Sequence, residues 1–119
     1  MKNFEIGKQI NIIIRDSNII GNKVFPIVAD AGTQFPFCIY RRSGYRPITN
    51  KDDYNEIVQI ELAILANNYD ESVNIANGIC EVMNGYSNDI IEDIRITNIF
   101  EDFAEDTYIQ KIYLDIYLR

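Results

Sequence analysis

Two clusters of charge are the residues best placed to do chemistry in this chain. Between Asp89 and Asp106 stand seven carboxylates (Asp89, Glu92, Asp93, Glu101, Asp102, Glu105 and Asp106) against one base, Arg95. Carboxylates at such density suggest calcium ligation or paired acid–base work. A calcium loop needs oxygen ligands at regular spacing and a glycine at the bend, and this stretch has no glycine. A glycosidase pair needs two carboxylates set across a cleft, which only the fold can supply. The plainer reading is a solvated hairpin end.

The second cluster is basic. Arg41, Arg42, Arg46 and Lys51 hold four of the eleven positive charges, with Tyr45 between them. Arginine and tyrosine are preferred anchors of protein interfaces. The same residues also suit an ordinary exposed loop or a phosphate-contacting patch. The formal net charge of −7 makes the last a weak footprint, because duplex binders show the opposite balance.

What is missing narrows the chemistry further. No histidine occurs, which removes imidazole acid–base catalysis, histidine-activated nucleophiles and histidine metal sites. Cys38 and Cys80 are too few for a four-thiolate site, and their apolar neighbours suit buried, reduced thiols. There is no Gly-rich phosphate loop. Ser17, Ser43, Ser72 and Ser87 sit at helix ends or in polar loops, where capping and turn roles are expected. The expectation is a protein without enzymatic activity, cofactor or metal. An enzyme using two converging acids with shifted pKa values is the weakest of the readings.

The elements that must position these clusters follow from periodicity. With 119 residues and 47% hydrophobic composition, the chain suits one domain, 1–119, able to bury about two-thirds of its unfolded surface. Ile6, Ile10, Ile13 and Ile14 share one helical face, with Lys8, Asn11 and Arg15 directed away. Gly21-Asn22 closes that unit, and Lys23 to Val28 forms a short strand stopped near Pro26. After a loop at Ala29 to Phe35, Pro36 opens an extended run through Arg41. Arg42 to Asp53 reads as a polar hairpin tip or arm.

Val58, Ile60, Leu62 and Ile64 alternate with Gln59, Glu61 and Ala63 in a strand. Asn68 with Glu71 fits a capping box, and Asp70 an equally good N-cap, for a helix whose face is Val73, Ala76, Cys80 and Met83, widened by Ile75, Ile79 and Val82 and ended by Asn84-Gly85. A strand then runs from Ile94 to about Phe103. In the last strand Ile112, Leu114, Ile116 and Leu118 face one way, and Lys111, Tyr113, Asp115, Tyr117 and Arg119 the other. The predicted fold is α+β, in the order α-β-β-β-α-β-β. Its mostly antiparallel sheet of about five strands has both helices on one face and a tyrosine-bearing face left open.

No segment reaches the roughly 18 apolar residues of a membrane span. The N-terminal residues lack a signal peptide's apolar stretch, so synthesis and retention in the cytoplasm, without membrane contact, are expected.

Nearly the whole chain resembles the tail-completion proteins of long-tailed phages and prophages, also called tail terminators or head-to-tail joining proteins. The likeness rests on four features in fixed order. An N-terminal helix leads to the strand Val24-Phe25-Pro26. A Gly/Thr/Gln loop precedes Pro-Phe-Cys-Ile-Tyr at 36–40. A polar insert leads into Val-Gln-Ile-Glu-Leu-Ala-Ile-Leu-Ala at 58–66. Asn-Tyr-Asp-Glu-Ser-Val-Asn-Ile-Ala-Asn at 68–77 begins a helix that two strands follow.

The resemblance implies structural work in the host cytoplasm during assembly and then at the virion neck. Such proteins form rings, commonly hexamers, that cap the tail tube and meet the head connector. On that reading Arg41, Arg42, Tyr45, Arg46, Tyr113 and Tyr117 contact a neighbouring subunit or the tube protein. Glu101, Asp102, Glu105 and Asp106 approach a lumen that DNA only passes through, since an acidic wall repels phosphate. Six copies at −7 each carry a formal charge of −42. The alternative is a small α+β module holding an apolar or anionic ligand, or a protein, between helices and sheet.

Overall fold

A computed structural model describes residues 2–49 and 54–119. Its elements are α1 (Lys2–Ser17), β1 (Val24–Pro26), β2 (Phe37–Thr49), β3 (Tyr54–Ala66), α2 (Tyr69–Met83), β4 (Ile91–Ala104) and β5 (Thr107–Leu118). The five strands form one sheet in the order β1-β2-β3-β5-β4. All neighbours are antiparallel except β1 and β2. The expected α+β order is therefore present, with a single parallel pair at one edge.

Burial on one face explains the arrangement. Val58, Ile60, Leu62 and Ile64 of β3 and Ile112, Leu114, Ile116 and Leu118 of β5 are at most 1% exposed. They form the floor of the core, and Ile6, Ile10, Ile13 and Ile14 of α1 with Ile75, Ile79 and Met83 of α2 form its roof. A strand alternates its side chains between faces, so this one-sided burial fixes the register of both central strands. Strands of 12 to 14 residues at about 3.3 Å per residue account for the long axis of 50 Å.

Three local expectations change. Arg42 to Thr49 is strand and not the tip or arm expected over Arg42 to Asp53, because β2 continues through it; residues 50–53 lie outside the described set. Twelve-position pairing with β3 outweighs the local turn signals. Ser43 is absorbed as a bulge between Arg42 and Gly44, and Pro47 is tolerated because β1 covers only Cys38 to Tyr40, leaving β2 an edge beyond.

The buried face of α2 is also rotated. Ser72, Ile75, Ala76, Ile79 and Met83 are buried, whereas Val73 is exposed and Cys80 half-buried. Finally, Asn11 does not point away. Its Nδ2 donates to the Val24 carbonyl at 3.3 Å and to the Tyr40 hydroxyl at 3.2 Å, tying α1 to the sheet edge.

The ends of α2 match expectation. Asn68 Oδ1 accepts from the Glu71 amide at 3.0 Å, and Gly85 at φ 79° follows the C-terminal Asn84. The rotated face makes a contrast that urea denaturation can measure. Ile79→Ala, which empties a site 1% exposed, should cost about 2–5 kcal/mol. Val73→Ala should stay within about 0.5 kcal/mol of wild type.

Candidate functional site

The bulge at Ser43 sorts the basic cluster. Before it, strand alternation puts Arg41 on the open face and Arg42 on the helix face, as their pairing with Glu61 and Ile60 shows. After it, Tyr45 pairs with Val58 on the helix face and Arg46 with Ile57 on the open face. The structure thus brings Arg41 and Arg46 to one side, and Arg42 and Tyr45 to the other.

Arg42 has an intramolecular task. Its Nη1 donates to the Asn3 carbonyl at 3.1 Å and to Asn3 Oδ1 at 3.3 Å, and its guanidinium lies 4.5 Å from the Phe4 ring centre. It clamps the start of α1 to the sheet.

On the open face, one row crosses the central strands. Arg41 Nε donates to Glu61 Oε2, and the Tyr113 hydroxyl donates to Glu61 Oε1 at 3.0 Å. Phe100 then meets the Tyr113 ring edge-to-face at 5.7 Å between centroids. Glu61 is only 8% exposed, so its charge needs both partners. The hydrogen bond to Glu61 holds the Tyr113 phenol above its usual value of 10.0, with desolvation and the carboxylate's charge acting the same way. Four residues on, the Arg95 guanidinium sits 5.0 Å from the centre of the Tyr117 ring and pairs with Asp93 at 2.9 Å. The open face is therefore a lattice of cross-strand pairs, and Tyr113 and Tyr117 both belong to it.

The acidic residues do not form one array. Glu105 and Asp106, at φ 52° and 58°, make the turn between the paired Ala104 and Thr107. This is the solvated hairpin end anticipated from sequence. Asp102 pairs with Ile109, an open-face position, and its Oδ1 accepts from the Phe103 amide at 2.8 Å. Glu101 pairs instead with Gln110 on the helix side. Its Oε2 accepts from the Tyr69 hydroxyl at 2.7 Å and from Gln110 Nε2 at 2.9 Å. These two hydrogen bonds, Gln110's first, hold the Glu101 carboxyl below its ordinary 4.5, and the hydrogen bond to Glu101, followed by its charge, raises the Tyr69 phenol.

Gln110 also donates to Ser72 Oγ at 3.3 Å, deep under α2. Sequence reasoning missed Gln110 and Ser72. The signal was available, since Gln110 continues the inward-facing positions of β5 and a polar residue there requires a partner.

Beside this network open two clefts sharing Tyr69, Glu101 and Gln110. One, of about 430 Å³, runs to Phe103 and Tyr108; the other, of about 460 Å³, runs along α2 to Val73 and Cys80. Both are open to solvent at the sheet edge, unlike the enclosed pocket that a ligand-binding module would have between helices and sheet. Cys38 is buried, and desolvation pushes its thiol up to about 12. Burial likewise raises Cys80, and both cysteines are free thiols. Among the described residues, no three Cys, Asp or Glu side chains gather as a metal site, and no helix is long and apolar enough to cross a membrane.

These features define the class: an α+β fold with a one-sided sheet, on whose open face Glu61 is held by Arg41 and Tyr113 from the two flanking strands. No family model matches the chain, and no curated protein matches it. Among solved structures, the fold is similar to a chain from the virion of a native gene transfer agent particle, with a TM-score of 0.72. The likeness spans 94% of this chain and 90% of that one at 9% sequence identity, so what the two share is the fold along nearly their whole lengths.

Two titrations test the site. Glu61→Gln should bring the Tyr113 phenol down toward 10, read from phenolate absorbance. Because Glu101 is lowered in the folded state, its contribution to stability is present above its ordinary value of 4.5 and lost as pH falls through the folded value. Glu101→Gln should therefore flatten the acid limb of the stability curve between those two values.

Proposed function

We propose that this chain is a structural component of a phage-type virion, acting as a tail terminator. Copies form a ring, hexameric as in the family it resembles, that caps the tail tube and presents a surface to the head connector. The observation that carries this reading is the end-to-end fold likeness to a virion chain, which leaves almost no part of either protein outside the common architecture. The open sheet face and the scarcity of reaction-capable clusters support a role in holding other parts together.

Within the ring, the reading assigns subunit or tube contact to the Arg41, Arg42, Tyr45 and Arg46 segment with Tyr113 and Tyr117. The hairpin end with Asp102, Glu105 and Asp106, and Glu101 beside it, approaches the lumen, where negative charge keeps passing DNA from sticking. The internal contacts refine how the arginines should be probed. Reversing Arg41 or Arg42 also breaks the Glu61 pair or the clamp on Asn3. Arg46, exposed on the open face, reports on assembly more directly.

Electron microscopy of particles assembled with and without the chain tests the reading. Tubes of uncontrolled, excessive length and no heads attached are expected in its absence. Tails of normal length would remove the capping role.

A further inference from the structure

Of the eleven large apolar side chains exposed among the described residues, eight lie along two sides of the sheet. On the β1 side are Ile27, 70% exposed, Val28, 69% exposed, and Phe35. On the β4 side are Ile99, Phe100 and Phe103, each about half exposed, with Tyr69 and Val73 of α2 beside them. Exposed apolar surface concentrated in this way marks contact sites. Ile27 adds a second sign. It holds φ at 67°, a conformation that β-branched residues rarely adopt, and so presents its side chain outward directly after β1.

The registers place the two patches on the same level of the sheet. One row runs from Pro26 through Tyr40, Leu62 and Ile112 to Ile99. The adjacent row runs from Phe25 through Ile39, Ala63 and Lys111 to Phe100. Pro26 and Phe25 are therefore level with Ile99 and Phe100, and Ile27 and Val28 leave the edge one and two positions further along, so a shift of one or two residues along the strand brings them opposite.

Strand sense fits as well. β1 is parallel to β2, and three antiparallel steps lead from β2 to β4, so β1 and β4 run in opposite directions. A second copy moved sideways in the plane of the sheet would set its β1 antiparallel against this β4. β4 is outermost, and from Asn98 to Ala104 it pairs with β5 without a register shift, so that stretch offers a regular edge for a further strand.

One charge pair adds to the match. Beyond β1, the β2 edge from Arg41 to Thr49 carries Arg41, Arg42 and Arg46 and no carboxylate. The row containing Arg46 passes through Ile57 and Tyr117 and ends at Asp93 on β4, beside exposed Glu92. The sideways displacement that joins the apolar patches brings Arg46 toward Glu92, since Asp93 is paired with Arg95 and Arg41 and Arg42 are held by Glu61 and Asn3.

We propose that a second copy of this chain docks by its β1–β2 edge onto the β4 edge of the first, with Ile27 and Val28 seated against Ile99 and Phe100. The contact is head-to-tail, and repetition of one such contact closes a ring or winds a filament. Its place in a virion rests on the terminator reading, whereas the pairing itself is a property of the isolated chain.

Light scattering on purified protein at millimolar concentration tests it. Wild type should show a discrete multi-subunit mass. Ile27→Asp with Val28→Asp on one edge, or Ile99→Asp with Phe100→Asp on the other, should each give folded protein at the single-chain 13.8 kDa, with thermal melting as the check on folding. An equal mixture of the two variants retains one intact contact, so it should form a dimer and nothing larger. Should either variant misfold, Val28→Cys combined with Ile99→Cys should give a ladder longer than dimer on oxidation.

A wild-type oligomer whose mass both variants leave unchanged, or a mixture that stays monomeric, overturns the edge contact while leaving self-association standing. Wild-type protein that remains monomeric also overturns it, and normal capping of tails in microscopy would then show that the terminator role survives. Filaments in place of a closed mass would support the contact and sink the ring.

Discussion

The structure depends on burying one face of two strands. β3 and β5 lie at the centre of the sheet, and their even-numbered side chains are removed from water by isoleucines of α1 and α2. Each buried isoleucine, leucine or valine is worth roughly 1.5–3 kcal/mol relative to exposure. A slip of one residue in either strand would carry four such side chains to the open face. That penalty holds the register, and the register in turn decides which charged residues meet across the sheet. Arg41, Glu61 and Tyr113 form a row because the apolar residues on the opposite face leave them no other arrangement.

Glu61 shows how tightly the two faces are coupled. Its position in β3 is set by Ile60 and Leu62 beneath, and it ends up nearly as buried as the core although it lies on the open side. A carboxylate so placed is tolerated because a guanidinium and a phenol reach it from both neighbouring strands. Ile57, 1% exposed and level with Arg46 and Tyr117, is sealed on the same face outside the main core cluster. The open face is thus partly dry, and its polar appearance in sequence conceals cross-strand packing.

Much of the fold was legible because the decisive signals are periodic. The alternation in β5, the isoleucine spacing in α1 and the cap at Asn68 each act over short range and survive in the tertiary structure. The failures are equally physical. Ser43-Gly44 and Arg46-Pro47 are turn residues by local chemistry, but pairing with a long regular partner strand turned the first into a bulge and left the second on an edge. Val73 was assigned inward because helical periodicity fixes which residues share a stripe and not which stripe meets the sheet. At the candidate site, residue types were visible and sides were not. The basic cluster divides between two faces because strand neighbours alternate, and the extra residue at Ser43 puts Arg46 with Arg41 and Tyr45 with Arg42. Glu101 leaves the other acids because its row partner is Gln110, which no spacing within β4 reveals.

That extra residue gives β2 a parity of its own. Ser43 lets five positions separate Arg41 from Arg46 while both stay on one side, although an unbroken strand would oppose them. A chain lacking Ser43 would set Gly44 directly after Arg42, still opposite Gln59, so every pairing from Gly44 onward and the side each residue shows would persist while the local bend and extra twist of β2 would go.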